Sequence, residues 1–226
     1  MSLPLSRAAR LRVAPFVLFM LLLALRGNMP TGDSGLLDTR WIYAATVLLV
    51  GGVLWWFRRE YGELNMQNLP TRDEALLAAG VGFVVFLLWI NLDAPMLRIG
   101  EATATFTPLD AQGNLQWTLV AVRWIGAALL VPVMEELFWR SFLMRWIDRP
   151  QFETVVPHQV SIKAVVLSTF VFMLAHTLWL AAIIAGLAYA WLFKRTGKLW
   201  VPVLAHAVTN GVLGVWVVAT GNWGFW

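Results

Sequence analysis

The chain reads as a succession of apolar runs broken by short clusters of charge, Gly and Pro. Several runs approach the roughly 20 residues needed to cross a hydrocarbon core. They predict seven main helices, at about 13–25, 41–57, 74–92, 117–146, 162–177, 179–193 and 199–220. The first is short by itself and is expected to extend at its N-terminal end. The fourth is either long or broken, and a division near Pro132 or Ser141 would make an eighth. The pattern therefore predicts an all-α polytopic membrane bundle of seven or eight transmembrane helices, with no soluble domain and no clear repeat. Residues 93–116 form the longest external connection, where Thr103, Thr105 and Thr107 alternate with apolar positions. A short hairpin and a surface flap both suit that stretch.

Composition supports the membrane reading. Of 226 residues, 59% are hydrophobic and 13% charged, against roughly 25% charged in a soluble domain. There are no cysteines, which excludes disulfides, thiolate metal sites and cysteine-protease chemistry. The net charge of +4 comes without a basic block, so nucleic acid is not expected as a partner. Arg7, Arg10 and Arg12 precede an apolar run as in a signal peptide, but no small-x-small cleavage site follows Leu25 and Arg26, and an uncleaved first helix is expected. Twelve Lys and Arg residues fall in loops on one side of the predicted bundle and three (Arg26, Arg40, Arg98) on the other. That bias predicts a cytoplasmic N-terminus and an external C-terminus. Tryptophans at many predicted helix ends fit an interfacial aromatic belt.

Polar residues inside the apolar runs carry the functional signal, because a charge at the bilayer centre costs several kcal/mol. Glu136 and Arg140 are four apart and share a helix face, while Glu135 lies about 100° round the helix. Arg140 can thus neutralise Glu136 and leave Glu135 to a cavity. An ordinary ion pair at a helix end is the plainer account. His176 follows Phe172 by four residues, and His206 precedes Asn210 by four. Taken singly, these suit a packed histidine and an interhelical hydrogen-bond clamp. Their predicted depths favour a combined reading: about 15 Å from the cytoplasmic end for Glu135, about 20 Å for His176 and about 10 Å for His206. One water-filled cavity could reach all three. A carboxylate, two imidazoles and an amide there would suit water activation and oxyanion stabilisation.

These residues resemble a known pattern. Glu135-Glu136-x-x-x-Arg140, Phe172-x-x-x-His176 and His206-x-x-x-Asn210 are similar to the three signature motifs of the CPBP family, which comprises CAAX prenyl endopeptidases of the Rce1 type and bacteriocin-processing or self-immunity proteins. The stretches Gly186–Leu192 and Arg195–Pro202 resemble that family's approach to its third motif, and the likeness covers about 131–211. It divides the chain into N-terminal helices 1–3 with the external loop (1–115) and a catalytic core (116–226). It implies an intramembrane endopeptidase of glutamate type. Glu135 and His176 would activate water, His206 and Asn210 would bind the oxyanion, and Glu136 and Arg140, with Phe172, would support the site. The implied substrate is a membrane-associated protein or peptide. The implied setting is the lipid bilayer, for so small a chain a bacterial cytoplasmic membrane. The resemblance requires no metal or cofactor. Zn²⁺ would accept a Glu with two His, although no His-Glu-x-x-His is present. A catalytically silent peptide binder or immunity scaffold is the alternative function.

Other features have plainer readings. Gly32-Asp33-Ser34-Gly35 suits a turn. His158 is expected in a solvated loop, Ala182, Gly186 and Ala190 form a small-residue packing stripe, and Arg123 is expected to snorkel or to pair within the bundle, with a role towards substrate as the alternative.

Overall fold

Capping side chains set where the apolar runs become helices. A computed structural model describes residues 5–29, 38–100 and 106–226. Its helices are α1 (Arg7–Gly27), α2 (Trp41–Trp56), α3 (Arg72–Asn91), α4 (Trp117–Asp148), α5 (Ile162–Leu174), α6 (Trp179–Thr196) and α7 (Trp200–Thr220). The Ser6 hydroxyl accepts from the Ala9 N–H to open α1. Thr71 and Glu74 form a reciprocal capping box on α3, and Ser161 caps α5 through the Ala164 N–H. Such caps satisfy donors that a helix start leaves open. The chain leaves α6 and α7 through Gly197 and Gly221, both left-handed (φ 71° and 70°). Among the described residues, four helices (α1, α3, α4, α7) are long and apolar enough to cross a membrane, while α2 and α5 are shorter apolar helices.

α4 runs on as one helix, so the long reading of the fourth segment applies and the broken one does not. Two π-helical stretches, Gly126–Leu130 and Leu137–Leu143, interrupt its regular ladder. Pro132 follows the first and lacks the N–H that a regular turn would use; wider turns absorb such a defect without a break. α5 is shorter than the sequence pattern predicts. It ends at Leu174, and His176 lies in the turn that follows. The His176 ring takes the Phe172 carbonyl, while the Ala175 and His176 N–H groups close onto carbonyls three residues back.

α3 and α7 make the closest crossing. A Cβ at Gly82 would stand 2.2 Å from the Ala205 carbonyl oxygen, and the Thr209 hydroxyl donates to the Gly82 carbonyl at 2.8 Å. Only glycine permits that approach. The small-residue stripe on α6 packs as expected, with a Cβ at Gly186 meeting Thr169 at 2.9 Å and Phe172 at 3.3 Å on α5. α1 lies against α4, where Phe16 and Phe138 stack at 4.0 Å.

Two of the twelve cations counted as loop charges are buried. Arg12 grips Glu63 through Nε and Nη2 (2.8 and 2.6 Å). Ser141 bonds the same carboxylate, and Arg145 donates to the Ser141 hydroxyl at 2.8 Å. This cluster joins α1, the α2–α3 loop and α4.

The described part of the 93–116 connection has two roles. Ile99 donates to the Thr177 carbonyl and Trp179 to the Met96 carbonyl, so this strip covers the α5–α6 turn. Residues 108–116 fold back on themselves through a Leu109–Leu115 bridge with Gly113 at φ 85°. Thr103, Thr105 and the Gly32–Gly35 turn lie outside the described residues.

Candidate active site

The two successive glutamates of α4 face different surroundings, as one helical step of about 100° requires. Glu136 is fully buried. Its Oε1 accepts from Arg140 Nη1 and from His206 Nδ1, both at 3.0 Å. Arg140 also donates Nη2 to the Gly186 carbonyl (3.3 Å) and lies over the rings of Phe172 and Tyr189. Glu135 lines a cavity of about 280 Å³. Its Oε2 accepts from Trp139 Nε1 at 3.2 Å, and among the described residues its Oε1 makes no hydrogen bond.

His176, His206 and Asn210 line that same cavity. The positions come from α4, the α5–α6 turn and α7, far apart in sequence. The ring nitrogens are constrained differently. His176 Nδ1 faces the Phe172 carbonyl at 2.8 Å. A carbonyl only accepts, so Nδ1 carries the proton, and a neutral His176 presents Nε2 as a base. His206 Nδ1 faces a carboxylate that Arg140 also holds, so it too carries a proton. If His206 Nε2 is to donate a hydrogen bond as well, the ring must be the imidazolium, with Glu136 as counter-ion. The ring is held flat by Tyr189, stacked at 5.1 Å, whose hydroxyl meets Thr209 at 2.7 Å.

Asn210 spends one amide N–H on the Ala127 carbonyl (2.9 Å), and among the described residues the other has no acceptor. Ala127 lies in the first π-helical stretch, where the altered ladder leaves carbonyls open to outside donors. Trp124 answers from α4 by donating to the Gly211 carbonyl at 2.9 Å. The two bonds clamp α4 to α7 at the height of the cavity.

Sequence reasoning passed over several contributors. Trp139 stands at i+4 from Glu135, a spacing open to inspection, but its apolar neighbours disguised it. Trp89 packs edge-on against His176 at 5.6 Å, a contact between distant segments that no local pattern signals. Arg123 lines the cavity and forms no ion pair among the described residues. α1 supplies part of the wall through Phe16, Phe19, Met20 and Leu23. A second cavity of about 710 Å³, bordered by Asp93, Arg98 and Asn222, shares Trp89 and Phe225 with the first. His158 is exposed in its loop and would meet a Cβ at Gly197 at 3.0 Å. Among the described residues no three His, Asp or Glu side chains converge as a metal-ligand set.

Comparison with known proteins adds one finding. Residues 116–212 match the family described as type II CAAX prenyl endopeptidase Rce1-like. No curated protein and no solved structure matches the chain. The matched segment begins just before α4 and ends within α7, so it takes in Glu135, Glu136, Arg140, His176, His206 and Asn210. With its four long apolar helices, the protein is an integral membrane protein whose segment 116–212 matches the Rce1-like CAAX endopeptidase family.

Proposed function

We propose that the chain is an intramembrane endopeptidase that hydrolyses a peptide bond in a membrane-associated protein or peptide. One observation carries the reading: Glu135, His176, His206 and Asn210, from three separate parts of the chain, line one cavity inside a membrane bundle whose core matches a protease family.

Each group has chemistry suited to a step. Glu135, with an uncommitted oxygen, and His176, with Nε2 available, take a proton from water as it attacks the scissile carbonyl. The free amide N–H of Asn210 and the His206 imidazolium donate to the oxyanion. Glu136 and Arg140 hold His206 in place and balance its charge. The proton held by the Glu135–His176 pair then passes to the departing amine, which closes the balance. In this reading the chain sits in a bacterial cytoplasmic membrane with its C-terminus external, the orientation that the Lys and Arg bias of the loops favours.

The test compares membrane and secreted peptides in host cells carrying the wild type, Glu135→Gln or His176→Ala at matched expression. A defined cleavage product should disappear in both variants, because Gln accepts no proton from water. Identical peptide pools, with the variants folded and a host phenotype still rescued by Glu135→Gln, would reject the protease reading in favour of a peptide-binding scaffold.

A further inference from the structure

Arg123 stands twelve residues before Glu135 on α4, roughly 18 Å away at the α-helical rise, and both line the same cavity. Among the described residues its guanidinium makes no hydrogen bond and no ion pair, and its Nε is shielded from solvent without an acceptor. Aromatic faces hold it instead, the Tyr43 ring at 4.5 Å and the Phe106 ring at 5.8 Å. Ring faces favour a cation but leave its planar fork of donors unused. A second guanidinium, that of Arg26, lies 5.1 Å from the same Phe106 ring. The Tyr43 hydroxyl beside it is also buried without an acceptor. Between Arg123 and Glu135 the wall is an apolar stripe of α1: Phe16, Phe19, Met20 and Leu23, at i, i+3, i+4 and i+7. Phe16 meets Trp139 at the Glu135 end, and Arg26 lies one turn beyond Leu23 at the other.

We propose that Arg123 is a carboxylate-binding subsite. It receives an anionic group of the substrate peptide about five extended residues from the scissile bond, at about 3.3 Å per residue, with apolar residues between. An unpaired intramembrane cation inside a cavity calls for an anion, and a guanidinium fork matches a carboxylate in two bonds. This rests on the endopeptidase reading, and it narrows the substrate to an apolar segment that carries a carboxylate at a fixed distance.

The experiment separates binding from turnover. Full-length protein with Glu135→Gln, in lipid nanodiscs, is offered randomised apolar hexapeptides of Ala, Val, Leu and Phe in three sets: free C-terminal carboxylate, C-terminal amide, and amide with a terminal Glu side chain. Retained peptides are counted by mass spectrometry. At least one carboxylate-bearing set should be retained about 10-fold or more over the plain amide, as a charge-assisted bond predicts. Whichever set leads identifies an α-carboxylate or a side-chain carboxylate. Arg123→Gln should abolish the preference and Arg123→Lys keep part of it, both at unchanged melting temperature. Equal retention of all sets, no retention of any, or a preference that survives Arg123→Gln overturns the proposal. So does a co-purifying phospholipid lost in Arg123→Gln without any peptide preference, which would assign the guanidinium to a lipid phosphate. A preference that tracks Arg123 in a protein whose wild type cleaves nothing would uphold the subsite and sink the protease reading.

Discussion

Glu136→Gln isolates the idea that His206 works as an imidazolium. The substitution keeps the shape and one acceptor oxygen but removes the charge shared by Arg140 Nη1 and His206 Nδ1, each at 3.0 Å. Charge-assisted bonds contribute about 1.5–3 kcal/mol each and are roughly twice as strong as neutral ones. Neutralising the carboxylate should therefore weaken the pair by about 1.5–3 kcal/mol in total. His206 loses the carboxylate that faces its Nδ1, and a neutral ring with its proton on Nδ1 has no Nε2–H to offer an oxyanion. The catalytic loss should then approach that of deleting one oxyanion donor, about 10²–10³ in kcat, with KM little changed. The assay is peptide cleavage in proteoliposomes for Glu136→Gln, His206→Gln and the double variant. If Glu136 acts through His206, the double variant is no worse than His206→Gln alone, since residues that act as a unit are not additive. Fully additive losses would refute the coupling. Wild-type kcat in Glu136→Gln would refute the imidazolium itself.

Two further perturbations test the scaffold. Gly82→Ala drives a Cβ to 2.2 Å from the Ala205 carbonyl, whereas Gly80 has nothing within 4 Å of its added Cβ; thermal denaturation in detergent should show Gly82→Ala destabilised by about 1–3 kcal/mol and Gly80→Ala within about 0.5 kcal/mol of wild type. Burial alone would push the Glu63 carboxyl up, but the Arg12 and Ser141 hydrogen bonds hold it below its ordinary value of about 4.5, so its stabilisation is present above that value and fades as pH falls through the lowered one. Glu63→Gln should lower the melting temperature at pH 7 and converge on wild type in strong acid; a gap that persists unchanged at low pH would discount the ion pair.

Much of the fold was legible because lipid imposes simple rules. Apolar runs marked the helices, and the Ser161 cap and the Gly197 exit lie at run ends where turn chemistry is local. The i,i+4 pairs carried real geometry: Glu136 does meet Arg140, and His206 and Asn210 project together from α7 towards α4. The limits are equally physical. Arg12 and Arg145 look like cytoplasmic loop charges because no local pattern announces that Glu63, 51 residues from Arg12, will fold back onto them. The π-helical stretches leave no periodic mark, since one extra residue per turn is invisible in an all-apolar segment. The early end of α5 arises from competition between the His176 side chain and the backbone for one carbonyl. The Glu136–His206 bond spans 70 residues, and only the packed fold brings it within reach.

The division of labour along the chain bears on how such a cavity acquires a substrate. The family match spans 116–212, and within it lie the carboxylates, imidazoles and amide of the site. Yet part of the cavity wall comes from elements outside it: the α1 stripe from Phe16 to Leu23, Trp89 on α3, and Phe225 and Trp226. The Gly82–Ala205 crossing seats α3 directly on the helix that bears His206 and Asn210, while the Arg12–Glu63–Ser141 cluster fixes α1 to the helix that bears Glu135 and Glu136. Walls attached so firmly hold their shape against the reacting groups, and their apolar side chains can change without disturbing a single bond to Glu136 or His206. Exchanging Phe19 or Met20 for a smaller residue should therefore alter which peptides are cleaved while leaving the rate constant for a small common substrate near that of the wild type. A uniform fall in kcat across all peptides would mean instead that α1 helps to position the chemistry itself.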